Sequence, residues 1–321
     1  MIKIPTVLVL GAGASQPFDF PTGQGLKDHI VEKLHLPRFR QRLIDLDFDK
    51  SIIHDFRDSL RESGRPSVDA FLEYRDDFLG IGKASIAVAL LPFERTTTLF
   101  GDWINKRRDP DKPGNWYEHL FGVLCDGIPF DVIDDNKLSI ITFNYDRSLE
   151  HFLFMSLKKS YGITDKMCAE KLAKIPIIHV HGSLGSLPWQ SNITGSIPPV
   201  PYDSNMLKEH VKSAAHNIKI IRENIVDTVE FTKARKKIQE AQQLLFLGFG
   251  FHPTNIKRLL PESLRIPMYV RGTSLGLSLE RRIAIRQRHE SLNEKDKKLI
   301  PKDVYTFLHD YVSFNKPGVD I

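Results

Sequence analysis

The sequence predicts an α/β fold: a parallel sheet with helices on both faces and a large helical insertion. Three observations predict it. Short apolar runs alternate with segments of helical periodicity, the pattern of strands buried inside a parallel sheet. The first run, Val7-Leu8-Val9-Leu10, passes straight into Gly11-Ala12-Gly13-Ala14-Ser15. Five apolar runs in all end in polar or glycine residues, at Gly11–Ser15, Asn144–Asp146, His181–Ser183, Gly248–Gly250 and Arg271–Thr273. Ligands of open α/β sheets bind outside the carboxyl ends of the strands. These five clusters are therefore expected to converge on one crevice, and the convergence carries more weight than any single motif.

After the first strand the chain turns through two glycines. A helical pattern then begins at about Gln24 and carries Leu26, Ile30, Val31 and Leu34. Strand, glycine turn and helix point unpaired backbone N–H groups at an anion, and glycines let a phosphate approach the backbone. The same stretch also suits a plain turn between any strand and helix. It departs from the fingerprint of hydride-transferring Rossmann enzymes. Gln16 stands where a third glycine belongs. No acidic residue ends a second strand about 20 residues on, because Glu32 lies within the helical pattern. The sheet is Rossmann-like, but hydride transfer is disfavoured.

From about residue 35 to 129 the periodicity is helical, through Phe39, Leu43 and Leu46, then Ile52, Ile53, Phe56 and Leu60, then Val68, Phe71 and Leu72. Ser67 is placed to cap the helix that begins near Val68. Further helices are expected over Gly82–Leu91, Thr97–Asn105 and Trp116–Cys125, with turns at Pro110–Gly114 and Gly127–Pro129. The sheet resumes at Leu138–Thr142, followed by a helix bearing Leu149, Phe152, Leu153 and Leu157, and then a strand over Ile175–Val180. Residues 184–205, rich in proline, glycine and serine, read as loop. One long amphipathic helix or a helix pair follows, to about Ala241. Strands are expected at Leu244–Leu247 and Ile266–Val270, with a helix from about Thr254. The charged tail from Leu279 begins as helix, and Val304–Leu308 reads as a strand. The division is thus 1–34 plus 130–275 for the sheet domain, 35–129 for the helical insertion, and 276–321 for a charged C-terminal extension.

With 321 residues, 41% hydrophobic and 26% charged, the composition is that of a globular protein with a sizeable core. Its apolar runs fall short of the roughly 20 residues of a membrane span. No signal peptide is expected before the first strand, since Met1-Ile2-Lys3 leads almost directly into it. Two cysteines, Cys125 and Cys168, form no C-x-x-C pair. The count excludes a zinc ribbon and a disulfide framework, and a reducing cytoplasm is the expected home. The net charge of +5 is mild. Basic residues gather at 106–108, 233–237 and 281–298, as solvated helix faces or as a footprint for nucleic acid or an acidic partner. Charge alone does not decide between them.

Asn144 and Asp146 stand two apart at a strand end. Asparagine offers a donor and an acceptor, and aspartate an acceptor for ribose hydroxyls. Asp146 also reads as the cap of the helix beginning there. Asn144, at the rim, reads as functional. His181, before Gly182, is the general-base candidate, since an imidazole near neutral pKa suits proton transfer. His179 precedes it by two, on the same side of a strand, and reads as a satisfied core histidine. His252 touches a ligand or only caps a turn. Gly248 and Gly250 admit a nucleotide ribose or make a tight turn.

As an ordered set, Gly11-Ala12-Gly13-Ala14-Ser15, Asn144-Tyr145-Asp146, His181-Gly182-Ser183 and Gly248-Phe249-Gly250 resemble the sirtuin-like NAD-binding domains. They look most like the divergent bacterial branch whose members hydrolyse NAD in antiphage defence, and Ser67–Glu73 also resembles a segment common there. The resemblance covers roughly residues 5–34 and 138–275. It implies that Gly11, Ala12, Gly13, Ala14 and Ser15 bind the pyrophosphate of NAD+, with Thr22, Asp146, Gly248, Phe249 and Gly250 also in the cofactor pocket. It further implies that Asn144 orients the attacking water or the nicotinamide ribose, and that His181 acts on a ribose hydroxyl or water. No metal is implied. Deacylating sirtuins carry a four-cysteine zinc module that two cysteines cannot build, so deacylation is disfavoured. The implied activity is NAD+ hydrolysis by a cytoplasmic homo-oligomer held inactive until infection. The alternatives are ADP-ribosyl transfer or deacylation, and a non-catalytic subunit sensing NAD or ADP-ribose for a partner such as a DNA-translocating ATPase. The charged tail, 279–302, is expected to serve assembly or a partner, with nucleic acid the weaker reading.

Overall fold

The computed structural model describes residues 1–101, 114–190, 197–220, 228–261, 264, 267, 269–288 and 298–316. In chain order the elements begin with β1 (Thr6–Leu10), a one-turn helix α1 (Ala12–Ser15) and α2 (Gly23–Lys33). The helical segment then supplies α3 (Pro37–Ile44), α4 (Lys50–Glu62), α5 (Val68–Leu72), α6 (Leu79–Leu90), α7 (Thr96–Phe100) and α8 (Trp116–Cys125). Next come β2 (Leu138–Thr142), α9 (Ser148–Tyr161), α10 (Asp165–Leu172), β3 (Ile177–His179) and α11 (Lys208–Asn217). The chain continues through α12 (Val229–Glu240), β4 (Gln243–Leu247), α13 (Pro253–Leu259) and β5 (Tyr269–Thr273). It closes with α14 (Leu279–Arg288), β6 (Lys298–Ile300) and α15 (Val304–Tyr311).

The strands form one sheet in the order β3-β2-β1-β4-β5-β6, with every pairing parallel. This is the doubly wound Rossmann order, whose direction reverses between β1 and β4. After Thr6 and Gln243 at their first positions, both are apolar because both are buried on two faces. Leu8, Leu10, Ile140, Leu245 and Leu247 face a core shared with helices α2 to α9. Val7, Val9, Ile141, Leu244 and Phe246 face α12 and α13 on the other side. The helical insertion is thus one covering layer of the sheet, sharing its core. Trp116 on α8 makes the tie explicit: buried, it donates from Nε1 to the Ala14 carbonyl at 2.8 Å.

Several expected elements differ. Ala12–Ser15 is a helical turn rather than an open glycine turn, followed by a 3-10 turn at Gln16–Phe18. The expected strand over Ile175–Val180 is the shorter β3. The expected strand at Val304–Leu308 is the helix α15. Its Val304, Phe307 and Leu308 are buried at helical spacing, and Asp303 caps it by accepting from the Thr306 N–H at 3.0 Å. The sheet also runs past the expected boundary at 275. β6 pairs with β5, and α15 packs on α8, with the Tyr311 carbonyl accepting from Arg271 Nη1 at 2.7 Å. The end of the charged extension is therefore part of the core.

The expected turn at Pro110–Gly114 and basic run at 106–108 lie, but for Gly114, outside the described residues, as do 289–297 of the third basic run. The run at 233–237 lies on α12, where Lys236 and Lys237 pair with Glu240, as a solvated helix face does. Among the described residues no helix is long and apolar enough to cross a membrane. Cys125 and Cys168 are buried and unbridged. Burial pushes their thiols up to about 11 and about 12, so both stay protonated at neutral pH.

Candidate functional site

At the switch between β1 and β4 a cavity of about 370 Å³ opens above the strand ends. Its floor is the contact between the two chain turns that leave those strands. Gly248 has φ 57°, and a Cβ there would lie 2.0 Å from the Ala14 nitrogen. Only glycine fits such a crossing. The turns are laced by backbone bonds: Gly11 N–H donates to the Leu247 carbonyl at 3.0 Å, Gly13 N–H to the Gly248 carbonyl at 3.0 Å, and Ala14 N–H to the Gly11 carbonyl at 2.9 Å.

Of the residues expected here, Gly11, Ala12, Ser15, Thr22, Asn144, Asp146, His181, Phe249 and Gly250 line the cavity, and so does His252. Gly13, Ala14 and Gly248 are not among the lining residues. They stand behind the wall as the close-packed seam, and the N–H groups of Gly13 and Ala14 are already bonded within the protein. Thr22 sits at the N-cap position of α2, and His252 at that of α13.

Asn144 follows β2. Its backbone N–H donates to Thr142 Oγ1 at 3.1 Å. Its Nδ2 donates to the Gly11 carbonyl at 3.1 Å and to Ser15 Oγ at 3.0 Å. Both amide hydrogens hold the α1 turn, so Oδ1 is the polar side-chain atom left for a ligand. Asp146 is buried one residue before Arg147, which holds the N-cap position of α9 in place of the expected Asp146, and Asp146 Oδ1 accepts from the Ser148 N–H at 3.2 Å and from the Ser148 hydroxyl. The Tyr117 hydroxyl extends this network to Ser148 at 2.6 Å. Burial raises the Asp146 carboxyl above its ordinary range, against hydrogen bonds from Ser148 and Ser15 that favour the carboxylate.

His179 and His181 do not share a side. β3 ends at His179, the chain turns, and Gly182 at φ 72° pairs with Ile218. The Lys219 N–H donates to the His181 carbonyl at 2.8 Å and fixes that turn. His179 faces Asn144 and α9, whereas His181 sits among aromatic rings, 5.5 Å from the Phe143 centroid and 6.3 Å from that of Phe231. His181 is 8% exposed, and its Nε2 has no hydrogen-bond partner among the described residues. Burial pushes its pKa down to about 4, helped by the Arg258 cation and opposed by the Asp69 carboxylate. It is a neutral imidazole at pH 7, not one titrating near neutrality as its residue type alone would indicate.

The far wall belongs to α5, whose part in the cavity the sequence reasoning missed. Ser67 caps this helix as expected, accepting from the Ala70 N–H at 3.2 Å. The cap sets Asp69 and Glu73, four residues apart, on the cavity side. The Tyr145 hydroxyl donates to Asp69 Oδ1, and Arg258 Nη1 reaches Glu73 Oε1 at 3.5 Å. The four-residue spacing after a cap was the signal available.

No curated protein matches the chain. A family model for the SIR2-like domain matches residues 138–300, from β2 through β6. The matched span takes in Asn144, His181 and Gly248–Gly250, and the Gly11–Ser15 turn precedes it. With about half of its length matched, across strands that carry the cavity, the chain belongs to the SIR2-like domain family.

Proposed function

We propose that this chain is an NAD+ hydrolase, cleaving the nicotinamide–ribose bond to give nicotinamide and ADP-ribose. SIR2-like domains bind NAD. One observation carries the step from binding to hydrolysis. A buried, neutral imidazole, that of His181, shares the switch-point cavity with Asn144, whose Oδ1 is uncommitted. The residues fit the substrate's chemistry, since an amide oxygen and a neutral imidazole can each accept a hydrogen bond from a water or a sugar hydroxyl.

The bound dinucleotide brings its own leaving group: a cationic pyridinium departs as neutral nicotinamide, so the site needs no general acid. Asn144 Oδ1 accepts a hydrogen bond from the attacking water or the ribose and orients it. The His181 imidazole accepts the proton that the water or hydroxyl gives up. Asp69, whose charge favours protonated His181, stabilises the cation so formed. In this reading the turn that carries Ala12 and Ser15 takes the phosphates, and Phe249 and Gly250, on the neighbouring turn, line the same cavity. The resemblance to the antiphage branch supports NAD depletion during infection, by a cytoplasmic homo-oligomer, as the use of this activity. A DNA-translocating ATPase is the partner class it brings with it.

The test is nicotinamide release by the purified chain, followed by chromatography without any protein acceptor. Steady release that falls by about 10²–10⁴ in His181→Ala supports hydrolysis. Release that requires an acceptor protein indicates ADP-ribosyl transfer or deacylation, and NAD binding without turnover indicates a sensor. Either of these overturns the reading.

A further inference from the structure

His179 lies outside the cavity lining, yet it makes the contact that holds Asn144 from behind. Its Nδ1 is 2.9 Å from the Asn144 carbonyl oxygen, and its Nε2 is 2.5 Å from Glu150 Oε1. A carbonyl oxygen has no hydrogen to give, so Nδ1 must donate. At 2.5 Å a bare Nε2 would set its lone pair against a carboxylate, so a hydrogen lies on that contact too. Both ring nitrogens therefore face acceptors, which a neutral imidazole, with one N–H, cannot satisfy beside an ionised Glu150.

We propose that His179 is a positioning residue for the hydrolase site: as an imidazolium held by Glu150 it clamps the Asn144 carbonyl to β3 and so aims the Asn144 side chain. The inference rests on the function proposed above for Asn144. The clamp completes a set of four bonds. Thr142 Oγ1 takes the Asn144 N–H, His179 takes its carbonyl, and the Gly11 carbonyl and Ser15 Oγ take its amide hydrogens. With all four in place, the one free polar atom of Asn144 has a single direction.

The electrostatics agree with the geometry. Burial acts against a charge on His179, but the Glu150 charge and hydrogen bond, the Asn144 carbonyl and the charge of Asp146 outweigh it and raise its pKa. Glu150 and Asp146 are the acidic groups facing the ring, from α9 and the turn before it, and both are buried. Two histidines two residues apart thus take opposite states: His181 neutral against the cavity, His179 cationic behind it.

The test uses the full chain, uniformly ¹⁵N-labelled. Long-range ¹H–¹⁵N spectra are expected to find both His179 nitrogens protonated at pH 7, and only one in Glu150→Gln. The Tyr145 amide, which reports on the Asn144 peptide group, is expected to shift in His179→Ala and in Glu150→Gln. It should return toward the wild-type position in His179→Asn, whose amide nitrogen can replace Nδ1 as donor. In nicotinamide release, His179→Ala is expected to lose about a hundredfold in kcat with KM for NAD little changed, and His179→Asn to recover much of it. The alkaline limb of kcat is expected to move to lower pH in Glu150→Gln. A neutral His179 ring in the wild type at pH 7, or a Tyr145 amide indifferent to both variants, overturns the clamp. If His179→Ala does not fold, Glu150→Gln and His179→Asn carry the comparison. If the wild type releases no nicotinamide, the proposed function fails, while the spectra still decide on the clamp.

Discussion

The amide of Asn144, at the end of β2, donates to the carbonyl of Gly11, at the end of β1, across 3.1 Å. This one contact joins the residue proposed to orient water to the turn proposed to face the phosphates. Catalytic geometry and binding geometry are therefore coupled. Asn144→Ala is expected to lose about 10²–10⁴ in NAD cleavage, and the double variant with His181→Ala little more, because residues acting as a unit are not additive. Rates that multiply in the double variant would separate the two roles.

Gly13 belongs to the seam rather than the cavity. A Cβ added there would stand 2.9 Å from the Gly248 carbonyl oxygen and 3.0 Å from the Gly248 Cα, both backbone atoms. Gly13→Ala is expected to lose about 1–3 kcal/mol of stability through overpacking, read by denaturant unfolding. Weakened NAD binding would then follow from the displaced turn. A variant as stable as wild type that still fails to bind NAD by calorimetry would restore Gly13 to direct phosphate contact.

His181 makes stability depend on pH with a definite sign. Its folded pKa, about 4, lies below the ordinary 6.5, so the unfolded chain binds the proton first as pH falls. Stability is full above pH 6.5 and declines from there to about pH 4, by on the order of 3 kcal/mol for this residue. His181→Gln is expected to flatten that stretch of the urea midpoint-against-pH curve. His179, with its pKa raised, acts oppositely: its contribution is present below pH 6.5 and is lost as pH rises through its folded pKa.

Arg147 and Glu94 form a wholly buried ion pair between the start of α9 and the helical layer. Glu94 also accepts from the Arg147 backbone N–H at 3.0 Å, and Arg147 Nη1 donates to the Val200 carbonyl at 2.6 Å. Arg147→Met leaves a buried carboxylate unpaired and is expected to destabilise the protein by about 3–5 kcal/mol. Thermal unfolding reads this directly, and a loss within the range of surface substitutions would count against the pair.

The C-terminal end is expected to be structural. Deleting 298–321 removes β6 from the edge of the sheet and exposes the face of α8 under Phe307 and Leu308. A large fall in melting temperature is the expected outcome. Unchanged melting with altered oligomeric state by light scattering would instead assign this end to assembly.

The alternation of apolar runs and helical periods was sufficient for the α/β class, because a strand buried on both faces must be apolar throughout and few other elements are. The same logic located Asn144 and His181 at strand ends and the cap at Ser67, each a property of residues adjacent in the chain. Other features depended on distant segments meeting. The seam of Gly13 with Gly248 joins segments more than two hundred residues apart, and nothing local marks it. The period of two of an extended β3 puts His179 and His181 on one side; a turn of the backbone after His179 parts them. Their charges then followed from surroundings no spacing encodes, aromatic rings for one and Glu150 for the other. Residue order determined which groups stand at the strand ends. Only the packed structure decided which are free to act, because hydrogen bonding and desolvation are set by neighbours in space.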